Sequence, residues 1–215
     1  MISDRKQIAT FWEQLQETID QLLSSRSEDR FDAEPLLKSY RDQLQKIDQN
    51  LTFHFQSDED ADEIAVEMVF GCDGFPESIH SVLSLIGDAP EVSGIQFKAF
   101  NHRYDPIPRT INIGDEFCDI SDFWYRLVVN PQGLQLEVYL EDAPKVLDMD
   151  PRVEAVMIYM DALIGEYELM TRVATLEWFD LPVSPEDHGL LPLSELRGQF
   201  DSMKNQVDPI GIRLH

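Results

Sequence analysis

Basic side chains are scarce in this sequence. Its 215 residues hold 17 Lys and Arg against 41 Asp and Glu, a formal net charge of −24 and a pI near 4.3. A nucleic-acid surface needs clustered Lys and Arg to displace counterions from phosphate. No quarter of the chain is net basic, and residues 51–100 carry ten acids and one base, Lys98. Direct binding of DNA or RNA is therefore not expected, and the same field repels anionic membrane surfaces. Long apolar runs are also missing: no window approaches the ~18 apolar residues of a membrane span. The opening MISDRKQIATFW is charged at Asp4, Arg5 and Lys6 with no apolar stretch behind them, unlike a secretory leader. Cysteine appears twice, at Cys72 and Cys118, without a CxxC pair. Two thiols suit a reducing compartment, so the expected location is the cytoplasm; the count alone leaves a Cys72–Cys118 disulfide open.

The signatures of most enzyme classes are absent too. There is no GxSxG and no SxxK, and no phosphate loop of the GxGxxG or GK[ST] kind. Gly71-x-x-Gly74 follows a strand pattern and precedes a helix pattern, but it places Asp73 where a phosphate would sit. The five histidines, His54, His80, His102, His188 and His215, include no HExxH or HxH. With no three or four ligands converging, neither a metal nor a cofactor is expected. The acidic run from Asp58 to Glu63 fails as an EF-hand, because its sixth and twelfth positions hold Glu63 and Val69 rather than Gly and Glu. A solvated hairpin tip explains it better. Cys72 could take His80 as a base; a small buried thiol at a strand end is the better account.

What remains is the pattern of a packed protein, with 43% hydrophobic residues. Ile8, Phe11, Trp12, Leu15, Ile19, Leu22 and Leu23 recur at helical spacing over residues 5–24, and Leu36, Leu37, Tyr40, Leu44 and Ile47 do so behind Pro35. These predict an N-terminal αα-hairpin over 1–50, packed on a main domain over 51–215 that ends in an irregular tail. The period then changes to two. LTFHFQ (51–56) and EIAVEMVF (63–70) alternate as strands, and a helix follows Phe75-Pro76 as far as Gly87. Strands are predicted at 95–100, 123–129, 134–140 and 169–178, with NPQG a hairpin turn between the second and third of these. Asp150 and Pro151 open a helix that Gly165 ends, with apolar residues on more than one face, as expected of a buried helix. A last short helix is predicted from Ser194 to about Met203. The fold class expected is α+β: a mainly antiparallel sheet of about five to six strands, helices on one face, and the hairpin in front.

The segment HRYDPIPR concentrates His102, Arg103, Tyr104 and Arg109 in a chain poor in bases. A stiff loop of this kind, with His54, could receive a small anion or carboxylate, either for binding or for an enzyme reaction. The competing account is internal neutralisation of Arg103 and Arg109 by neighbouring carboxylates. Lys98, Arg126 and Arg172 are expected to pair with Glu67, Glu137 and Glu177 on the outer sheet face. Met157, Met160, Met170, Trp124 and Trp178 are read as core filling.

Residues 63–105 combine Gly74 after a strand, a helix leading to Ala89-Pro90, then Gly94, Ala99-Phe100 and Arg103; LIGEYE follows at 163–168. In these features the chain resembles an uncharacterised family of bacterial cytoplasmic proteins, over roughly residues 51–180. The resemblance implies a small α+β domain and supplies no catalytic residues. The function expected is that of a soluble, acidic, non-catalytic protein-interaction domain, whose field would attract a basic protein partner. The alternatives are a small-anion binder or enzyme at the His102–Arg109 loop, and an acidic mimic of nucleic acid that occupies a DNA-binding protein.

Overall fold

The computed structural model describes residues 2–25, 32–57 and 66–210. The acidic run 58–63 and His215 lie outside them. Among the described residues are six α-helices and nine strands in three small sheets. No helix there is long and apolar enough to cross a membrane. The chain divides into two compact units, Met1–Phe100 and Asn101–His215.

In the first unit, helices α1 (Ile2–Ser25) and α2 (Glu34–Ile47) form the expected hairpin. It packs on a sheet of order β1-β2-β3, made of β1 (Thr52–Ser57), β2 (Val66–Gly71) and β3 (Ile95–Ala99). Phe11 and Trp12 are buried here. Their rings meet Phe70 at 5.8 and 5.6 Å, and Trp12 meets Phe97 at 4.7 Å. The Trp12 indole donates to the Leu85 carbonyl at 3.0 Å, so the polar atom buried with the ring is satisfied. β1 and β2 pair antiparallel, but β2 and β3 pair parallel. Helix α3 (Ile79–Gly87) lies between them in sequence and carries the chain back to the start of the sheet. Parallel neighbours need a crossover connection of that kind, since a tight turn can join only antiparallel strands.

The second unit is built around α4 (Pro151–Ile164), whose Asp150 cap accepts from the Arg152 amide at 2.9 Å. Seven of its residues are buried, as the apolar wrap predicts. The helix lies in one core with the inner residues of a sheet ordered β8-β7-β6-β9. Its strands are β6 (Trp124–Asn130), β7 (Gly133–Leu140), β8 (Val173–Asp180) and β9 (Leu191–Pro192), with α6 (Leu196–Met203) in the same core. The β6–β7 hairpin is antiparallel and β7–β8 parallel. Gly133 closes the hairpin at φ 140°, where a Cβ would come within 2.8 Å of the Ile210 side chain.

The expected single, mainly antiparallel sheet is thus replaced by three small sheets, two of them mixed. Three local readings change with it. A separate hairpin, β4 (Thr110–Ile113) and β5 (Glu116–Asp119), turns at Gly114 within a segment expected to be partly loop. Residues 169–172 are not strand but the end of α5 (Glu166–Arg172), so only the second half of the predicted 169–178 strand is extended. Arg172 therefore ends a helix and donates to the Val207 carbonyl at 2.7 Å, while Glu177 accepts from Gln135. The other two cross-strand pairs form as expected, Lys98 with Glu67 and Arg126 with Glu137 at 2.6 Å. Met160 and Met170 are core residues, whereas Met157 is exposed.

Candidate functional site

The C-terminal end of α4 presents carbonyls that the helix itself cannot satisfy. Two guanidinium groups fill that role. Arg103 Nε donates to the Ile164 carbonyl at 2.7 Å, and Arg197 donates to those of Leu163 and Ala162 at 3.2 and 2.8 Å. Both also place positive charge at the negative end of the helix dipole. The start of the 101–109 loop is laced to the same end. Tyr104 N donates to the Ala162 carbonyl, Glu166 N to that of Asn101, and the Tyr104 carbonyl accepts from Arg197. Gly165, at φ 92°, gives the sharp exit between α4 and α5 that this lacing needs.

Arg103 goes on to form a charge network. It holds both oxygens of Asp201 at 2.8 Å and Glu168 at 3.4 Å, and it lies 5.8 Å from the centroid of the Phe200 ring. Lys204 closes the network by pairing with Glu168 at 3.0 Å and Asp201 at 3.1 Å. The Arg103 hydrogen bond, helped by Lys204, holds the Asp201 carboxyl down at a pKa of about 2. Internal neutralisation therefore accounts for Arg103. Arg109 differs: its side chain is 84% exposed and pairs with Asp119 through Nε, at 3.3 Å. His102 is exposed. His54 stands exposed on β1 in the first unit, while His102, Arg103, Tyr104 and Arg109 belong to the second.

A different surface in the second unit gathers exposed apolar side chains. A slot of about 360 Å³ is lined by Glu116, Phe117, Asp122, Trp124, Glu141 and Leu181, among others. A second groove of about 520 Å³ shares Glu116 and Arg152 with it and adds Val146 and Met149. Phe117 is 65% exposed, Val146 58% and Met149 83%. The base of the slot is hydrogen-bonded to the core helix. The Tyr159 hydroxyl, on α4, shares its one proton between the carbonyls of Cys118 and Arg109, at 2.8 and 3.0 Å, and so ties β5 to the helix. Burial raises the Tyr159 pKa to about 12, so it stays a donor throughout the physiological range.

Cys118 also lines the slot, but burial first, then Glu116 and Asp122, raise its pKa. That environment suppresses the thiolate, the form a nucleophile or metal ligand requires. Cys72 is likewise buried, at the end of β2, and His80 is exposed on α3 with Ser84 within 3.4 Å of its Nε2. Among the described residues no group of three His, Cys, Asp or Glu could hold a metal ion.

Little in the sequence marks the slot. Phe117 and the acids around it lie in a stretch whose strands are only four residues long, too short for a clear alternation. The sequence does hold one signal: Val146, Leu147 and Met149 are apolar residues in APKVLDMDP, a short stretch between prolines, outside any predicted helix or strand that would bury them. No family model, curated protein or solved structure matches the chain.

Proposed function

We propose that the chain is a soluble cytoplasmic protein-interaction domain that acts by contact with a basic partner rather than by catalysis. The observation that carries this reading is the coincidence, on one surface, of exposed Phe117, Val146 and Met149 with Glu116, Asp122 and Glu141. Apolar groups left in water beside a groove favour burial against another molecule. A net charge of −24 selects the sign of that molecule and speeds the encounter. Anion binding at the 102–109 loop has less support, since Arg103 is committed to Asp201 and Glu168.

Affinity capture from a lysate of the source cells, washed at graded salt and read by mass spectrometry, tests this reading. The expected result is one stoichiometric basic protein that survives moderate salt, where simple charge attraction is screened within about 8 Å. If only a mixture of basic proteins is recovered and it washes off together, the reading fails. A captured DNA-binding protein that is released when DNA is added would move the nucleic-acid mimic ahead.

A further inference from the structure

Resting on that reading, we propose that the slot walled by Phe117, Trp124 and Leu181 receives a Lys or Arg side chain of the partner, and that the adjoining groove takes the bulky apolar residues beside it. The first ground is an uneven division of charge. Arg152 is the base that lines both cavities, and it is already occupied. Its guanidinium binds Asp150 at 2.7 and 3.0 Å and donates to the backbone carbonyls of Glu141 and Asp142. Glu116, Asp122 and Glu141 line the slot with no ion pair to any base among the described residues. A cation entering there meets three carboxylates across low-dielectric walls, which concentrate the field, and aromatic rings that favour cations at their faces.

The second ground is continuity. The slot and the groove share Glu116 and Arg152, so an occupant of one leads into the other. A small organic cation would fill the slot alone and leave Val146 and Met149 in water. A chain segment that alternates basic and large apolar side chains covers both. A second copy of this protein is a poor occupant, because it brings a charge of −24 to an acidic rim. Nucleic acid and anionic lipid are disfavoured for the same reason.

Fluorescence anisotropy with the full chain and two labelled dodecapeptides tests the assignment. One peptide alternates Lys with Leu and Phe; the other is all Lys. The mixed peptide should bind at least tenfold more tightly than the all-Lys peptide. Phe117→Ser and Met149→Ser should each weaken it about fivefold or more, and Glu116→Lys combined with Glu141→Lys should weaken it more than tenfold. These are surface positions, and unchanged melting temperatures would show that the variants fold. Glu13→Lys with Glu17→Lys on α1 makes the same charge change elsewhere and should have an effect of less than threefold. Equal binding of the two peptides, or equal losses in the slot and α1 variants, would overturn the assignment. So would concentration-dependent dimerisation that Phe117→Ser abolishes, since a second copy would then be the occupant. A capture experiment that yields no salt-resistant partner overturns the broader reading instead, whatever the peptides do.

Discussion

Arg103 and Arg109 stand six positions apart in one loop, and their surroundings predict opposite consequences of losing them. Arg103 caps α4, holds Asp201 and Glu168 and covers Phe200. Arg103→Ala should cost about 2 kcal/mol in urea unfolding, because it leaves the Ile164 carbonyl without its donor and Asp201 and Glu168 with Lys204 as their remaining base. Arg109→Ala should change stability by less than about 0.5 kcal/mol, as expected for an exposed side chain with one weak contact. The partner of Arg103 gives the pH dependence. The folded-state pKa of Asp201 is about 2, below its unfolded value, so its contribution is present above roughly pH 4 and is lost as pH falls toward 2. The Asp201 side chain is 42% exposed and solvent screens it, so the contribution is about 1 kcal/mol rather than the full shift. Asp201→Asn should therefore be less stable than the parent by that amount at pH 7, with the gap closing between pH 4 and pH 2. A gap that widened on acidification would contradict the assignment. The clustering of bases in HRYDPIPR was legible in the sequence. Their division of labour was not, since the partners of Arg103 lie 61 to 98 positions away.

At the scale of elements, α4 was the most legible part of the chain. Its start is written in Asp150-Pro151, its end in Gly165, and its burial in an apolar wrap with no clean polar face. Asp150→Ala should destabilise by about 1 kcal/mol through loss of the cap, and by more if the Arg152 pair contributes. Gly165→Ala forces a Cβ into a backbone with φ 92° and should cost at least about 1 kcal/mol. Thermal melts of the two variants would check both values. Sheet order was much less legible. Alternation located most of the strands but says nothing about which neighbour each one takes, and the parallel partners β3 and β8 arrive only after helices have reversed the chain. Residues 169–172, expected to be extended together with 173–178, lie in α5. The Gly165 turn and the amide of Glu166, bonded to Asn101, start a helix there instead.

At the scale of the whole molecule, charge is the dominant property. Self-repulsion at −24 should make the fold salt-stabilised, so the melting temperature should rise by a few degrees between 20 and 300 mM NaCl while binding of a basic partner weakens. The candidate surface was the least legible feature, because Phe117, Asp122, Glu141 and Met149 converge through β5, β7 and the approach to α4 rather than through any motif. Hydrogen exchange of the protein, alone and with its captured partner, tests the central claim most directly. The account predicts slowed exchange at residues 116–124 and 141–152 in the complex, with the rest of the chain nearly unchanged. Protection confined to other segments, with those two exchanging as in the free protein, would contradict it.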